Sequence, residues 1–71
     1  MKYIIISQHT LELAIVFDEI IPHVFVAAGR PVVSAGFCNK DGVAWGHSTT
    51  LKIKTRPQDT KIIRESMERQ I

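Results

Sequence analysis

The 71 residues leave room for one domain, residues 1–71, small enough to keep a large share of its surface in water. A hydrophobic fraction of 45% with 23% charged residues excludes a disordered tail, and a net charge of only +2 carries no nucleic-acid signature. The single cysteine, Cys38, excludes an internal disulfide and a four-cysteine metal site, and it agrees with a reducing cytosol.

Lys2-Tyr-Ile-Ile-Ile6 is β-branched and aromatic, which predicts a strand buried on both faces. Lys2 and the short isoleucine run do not make a signal peptide, because the apolar stretch is brief and no small-residue cleavage site follows. Ser7 to Thr10 is polar and reads as a turn. From Leu11 to Asp18, Leu11, Leu13, Ile15 and Phe17 alternate with Glu12, Ala14, Val16 and Asp18, which predicts a half-buried strand pairing back on the first. Pro22 suits a first helical turn, and Ala27-Ala28-Gly29 suits a glycine-capped end, so a short helix is expected near residues 22–28.

Pro31 to Arg56 is the stretch around which the chain is organised. Asn39-Lys-Asp-Gly42 predicts a type I turn opened by the Asn39 side chain, with Gly42 in the left-handed position of a bulge. In that register Phe37 faces Trp45, Cys38 faces Ala44 and Ala35 faces His47. Val33, Phe37, Val43 and Trp45 then share one face, with the Phe37–Trp45 pair expected at the centre of the packed core. Ser34, Gly36, Cys38, Ala44, Gly46 and Ser48 share the other. These small residues permit close approach by another backbone, either a helix or a second subunit.

Leu51 and Ile53 alternate with Lys52 and Lys54, which reads as a strand with one wet face at a sheet edge. Thr55-Arg-Pro-Gln58 resembles a capping box, with Asp59 at the positive end of a helix over residues 57–70. Ile62, Ile63, Ser66, Met67, Gln70 and Ile71 form its apolar stripe, and Glu65 precedes Arg69 by one turn. No apolar run approaches the ~18 residues of a membrane span.

Three segments carry a resemblance: Val33-Ser-Ala-Gly-Phe37, Gly46-His-Ser48 leading into a short apolar strand, and Arg56-Pro-Gln-Asp59 before a closing helix. Together they resemble small uncharacterised proteins encoded by bacteriophages and prophages, over roughly residues 30–63. Where such relatives tend to have a glycine-leucine pair, this chain has Lys52-Ile53. The resemblance implies a phage or bacterial cytosolic origin and no activity.

Residue chemistry points to no catalytic site. Cys38 and His47 are the only nucleophile–base candidates and point to opposite faces of the predicted hairpin, so Cys38 reads as a small core hydrophobe and His47 as a surface or interface histidine. His9, His23 and His47 lie on three elements without ligand spacing and read as solvated, so no metal site with Asp18 or Glu19 is expected. Asp18 and Glu19 point apart at a strand end. No phosphate loop or dinucleotide fingerprint surrounds Gly29-Arg30-Pro31 or Gly42. Lys52, Lys54 and Arg56 share one strand face at about 6.6 Å steps, a spacing comparable to phosphates along a nucleic-acid strand, with Arg30 or Lys61 nearby. Trp45 could stack a base only if exposed.

The expected fold is α+β. It has four or five mostly antiparallel strands, a C-terminal helix packed on the sheet, and a short helix near residues 22–28. The expected function is a small non-enzymatic interaction protein, a cytoplasmic phage or bacterial accessory factor acting as a homodimer or on a host protein, with no cofactor, metal or membrane partner. The alternative is nucleic-acid binding. The residues to test in either contact are Lys52, Lys54, Arg56, Trp45 and His47.

Overall fold

The structure is a computed structural model and describes residues 1–69. The chain runs β1 (Lys2–Gln8), β2 (Leu11–Phe17), α1 (His23–Ala27), β3 (Val32–Cys38), β4 (Ala44–Trp45), β5 (His47–Ser48), β6 (Ile53–Lys54) and α2 (Asp59–Arg69). The fold is α+β, as expected. Antiparallel strands in the order β2-β1-β3-β4 make the main sheet, and β5 pairs with β6 in a second, two-stranded one.

β1 is central because its apolar run can be covered on both sides. Tyr3 and Ile5 face a layer closed by Ile63, Ile62 and Met67 of α2. Ile4 and Ile6 face the opposite layer, closed by Val26 and Ala27 of α1 and by Leu51 and Ile53 around the small sheet. β1 and β2 form the expected hairpin, but the strand continues to Gln8, and the turn narrows to His9 and Thr10, with His9 in the left-handed region (φ 58°). A register shift opposite Ile5 and Ile6 adds Val33 to β3, which places Val33 on the α2 side next to Ser34.

The 39–42 turn forms by the expected chemistry. Asn39 Oδ1 accepts from the amides of Asp41 (2.9 Å) and Val43 (3.1 Å), Gly42 N–H donates to the Asn39 carbonyl, and Gly42 has φ 86°. Phe37 faces Trp45 and Cys38 faces Ala44. The predicted Ala35–His47 pairing does not form. The chain swings away at Gly46 (φ 77°), whose carbonyl accepts from Thr55 N–H, and His47 pairs with Lys54 instead.

The expectation for the core is overturned. Phe37 and Trp45 do stack, with centroids 4.9 Å apart and ring planes 20° from parallel, but Trp45 is 57% exposed. The small face is the inner one: Ser34, Gly36 and Cys38 are buried. The cause is steric. Gly36 lies opposite Tyr3, and a Cβ there would sit 2.6 Å from the Trp45 carbonyl, so only a small face admits the packing on this side. The segment that approaches it belongs to this same chain, around Thr55 and Asp59.

α2 begins at Asp59, two residues after the predicted start. Its Ile63 is fully buried, and Ser66 Oγ accepts from Ala14 N–H (3.3 Å), satisfying one amide of the β2 edge. Gln70 and Ile71 of the predicted stripe, and the Arg69 side chain of the predicted Glu65–Arg69 pair, lie outside the described residues. α1 ends on Ala28 (φ 48°), and Arg30 donates to the carbonyls of Ala27 and Val26 at the end of the helix. No helix of the described residues is long and apolar enough to cross a membrane.

Candidate functional site

Lys52, Lys54 and Arg56 do not form a stripe. Lys52 sits in the left-handed region (φ 57°), which breaks strand spacing, and only Ile53 and Lys54 remain extended and paired. Lys52 and Lys54 are exposed. Arg56 is occupied: its Nη2 and Nη1 donate to Glu12 (2.8 and 3.3 Å), and its Nε donates to Asp59 Oδ1 (3.1 Å). These pairs raise the Arg56 pKa, and the bonds from Arg56 hold Glu12 below the usual carboxylate range. A guanidinium already shared between two carboxylates has little left for a phosphate.

Arg56 belongs to a buried polar cluster built on Asp59, which is 0% exposed. Asp59 Oδ2 accepts from the Tyr3 hydroxyl (2.5 Å) and the Arg56 amide (3.0 Å), and Oδ1 accepts from Ser34 Oγ (2.9 Å) and Arg56 Nε. Thr55 Oγ1 lies 2.8 Å from the same phenol oxygen. Burial, with the bond to Asp59, pushes the Tyr3 pKa up. The predicted cap is thereby corrected. Asp59, not Gln58, reaches back to an amide, that of Arg56, while its own N–H donates to the Arg56 carbonyl. Four donors satisfy this carboxylate, so the cluster is a clasp joining β1, β3 and α2 and leaves no oxygen for acid–base work.

A row of four rings crosses the opposite layer. Phe17 and His23 meet edge to face at 5.4 Å, His23 and Phe37 do so at 5.9 Å, and Phe37 stacks under Trp45. His23 was expected in solvent and is 3% exposed, because α1 lays it against the sheet between the two phenylalanines. Its Nε2 lies 2.8 Å from the Gly36 carbonyl, which can only accept, so Nε2 carries the hydrogen and Nδ1 keeps a lone pair. Burial pushes the His23 pKa down, and Lys2 adds to this against the opposing pull of the Gly36 bond. Among the described residues no buried side-chain nitrogen or oxygen lacks a partner, and Nδ1 has no protein partner. His23 lines, with Lys2, Phe37, His47, Thr49 and Thr50, a cavity of about 300 Å³. Lys2 Nζ donates to the Ile21 carbonyl (3.2 Å) at its side.

Large apolar side chains stand exposed around α1 and at the end of the aromatic row. Ile20 (87%) and Phe25 (74%), with Ile21 and Val24, surround the start of α1, and Trp45 ends the aromatic row. Sequence reasoning missed Ile20, Ile21, Val24 and Phe25 as surface residues. Their signal is the run Ile20 to Val26, which is apolar at every position except His23 and so exceeds what one face of a two-turn helix can bury.

Cys38, His47, Asp18 and Glu19 lie where the sequence places them. Cys38 is buried, with its thiol pKa pushed up by burial, and His47 is exposed. Asp18 Oδ1 accepts from Ile20 N–H, and Glu19 pairs with the N-terminal ammonium, as befits a strand end. Among the described residues no three histidine, cysteine or acidic side chains gather as metal ligands. Compared with family models, curated proteins and solved structures, the chain matches none.

Proposed function

We propose that the protein is a small non-enzymatic interaction protein that associates with a second copy of itself. One observation carries the reading: the apolar surface of Ile20, Ile21, Val24 and Phe25. Exposed to 87%, 39%, 45% and 74%, these four side chains hold on the order of 400 Å² in water, within the range of the largest apolar patch of a monomer, which is often a functional surface. A standard interface buries about 800 Å² per partner, so the dimer is expected in the micromolar range or weaker. Its place as a cytoplasmic phage or bacterial accessory factor rests on the resemblance over residues 30–63. Sedimentation over a concentration series tests the assembly. The expected result is a mass rising from 8.0 kDa toward twice that value in the wild type and a flat profile in Phe25→Asp. A monomer throughout the series removes the homodimer.

Nucleic-acid binding is the second reading, favoured by the exposure of Trp45. The indole stacks on Phe37 and is 57% exposed, and its strand leads into the His47–Lys54 rung of the small sheet. The cations available to it are Lys52 and Lys54, without Arg56. Binding to a single strand at low salt that weakens with added salt supports this reading. Absence of binding at low salt ends it.

A further inference from the structure

We propose that the cavity between α1, β3 and the β5–β6 hairpin is a binding site for a phosphate monoester bearing a flat aromatic group, as a nucleotide does. The site goes beyond a protein-interaction role and does not depend on it.

The argument starts at His23 Nδ1. His23 is 3% exposed, bonds a backbone carbonyl through Nε2 and lines the cavity, and among the described residues its Nδ1 has no protein partner, so Nδ1 is the acceptor it can offer there. Beside it stands an ammonium: Lys2 Nζ uses one hydrogen on the Ile21 carbonyl and keeps two. Thr49, Thr50 and His47 complete the polar lining, and among the described residues no carboxylate contributes to it. An acceptor next to a cation asks for a ligand that both donates a hydrogen bond and carries negative charge. A carboxylate has no donor. A hydrogen phosphate has both, with P–O–H donating to Nδ1 and the charged oxygens accepting from Lys2 and the threonines. The cavity, at about 300 Å³, exceeds what a phosphate alone fills. Its Phe37 wall leads to the exposed indole of Trp45, on which a base can stack.

The proton shared by phosphate and His23 makes the binding pH-dependent. The groups facing it are Lys2 from β1 and His47 from β5, while Phe17 of β2 and Phe37 of β3 carry no charge. Above a phosphate pKa of about 6 the bound pair holds one more proton than the separated pair, so affinity falls toward about tenfold per pH unit.

The test is a titration with adenosine monophosphate, read by Trp45 fluorescence and by the imidazole nitrogens of His23. Expected are saturation, a shift of Nδ1, and binding of unphosphorylated adenosine weaker by about tenfold or more. His23→Gln, which can still donate to the Gly36 carbonyl, and the more exposed Lys2→Gln are each expected to weaken binding about tenfold. A short oligonucleotide with and without a 5′-phosphate distinguishes the sources. Tighter binding of the phosphorylated strand than of the mononucleotide identifies a strand end, and the reverse identifies a free nucleotide. No response up to ~10 mM, equal affinity for adenosine, or a flat profile between about pH 7 and pH 9 overturns the proposal. So does an unchanged affinity in Lys2→Gln, which decides the matter even if His23→Gln does not fold.

Discussion

Replacing Asp59 tests whether the buried clasp holds the two ends of the chain together. The carboxylate is fully buried and takes four donors, from Tyr3, Ser34, the Arg56 amide and the Arg56 guanidinium. Hydrogen bonds to a charged group contribute about 1.5–3 kcal/mol each, but not additively, since freed donors recover some partners. Breaking a buried charged network by removing one member costs about 3–5 kcal/mol, and we assign that range to Asp59→Ala. At ~0.05–0.15 kcal/mol per residue, a chain of this size has only about 4–10 kcal/mol in total. The substitution therefore removes about half the stability or unfolds the protein. Asp59→Asn keeps the volume but turns an NH₂ toward at least one donor, and is expected to cost about 2–3 kcal/mol. Urea unfolding followed by far-ultraviolet circular dichroism reads both. With a slope of ~1 kcal/mol per molar, Asp59→Ala lowers the midpoint by about 3 M or more. Glu12→Gln, at the exposed end of the same chain of pairs, should cost far less than either Asp59 variant. If both Asp59 variants lie within about 1 kcal/mol of the wild type, the cluster is a bystander and packing alone holds α2.

Three further results follow from the same geometry. Trp45 should emit at long wavelength and be readily quenched in the native state, and Trp45→Ala should cost about 1 kcal/mol, the worth of an exposed aromatic stack, instead of the ~3–5 kcal/mol of a buried indole. Tyr3, the only tyrosine, should show no phenolate absorbance while the fold persists near pH 10–11; since its folded pKa is raised, its contribution to stability is complete below the unfolded value of about 10 and declines as pH rises above it. The His23 imidazole should titrate below 6.5 by NMR; because the folded pKa is depressed, its contribution is present above 6.5 and is lost as pH falls through the folded value, so a titration at or above 6.5 contradicts its burial.

Much of the local structure was legible because it is decided by neighbours in sequence. The β1–β2 hairpin follows from alternation, and the 39–42 turn follows from an asparagine and a glycine at the two positions that require them. The Phe37–Trp45 register was legible for the same reason. Which face of that register turns inward was not, because the answer depends on Tyr3, 34 residues before Phe37, and on Thr55 and Asp59 beyond it. Volume suggested that the aromatic face packs inward. The structure buries the small face because a buried polar cluster and a close backbone crossing require it. Arg56 was misread by the same limit: its partner Glu12 is 44 residues away, and an isolated segment shows only a free cation. His23 was misread because a lone histidine in an apolar run carries no sign of the carbonyl that will accept its proton.

The claim on which the functional reading rests is that the surface around α1 is a contact surface between copies. A dilution series of amide ¹H–¹⁵N spectra addresses it residue by residue, because exchange between monomer and dimer shifts the amides at the interface. Concentration-dependent shifts confined to residues 20–25, and absent in Phe25→Asp, are the predicted result. Spectra that do not change with concentration contradict the account, as do shifts confined to the β2 edge while residues 20–25 stay fixed.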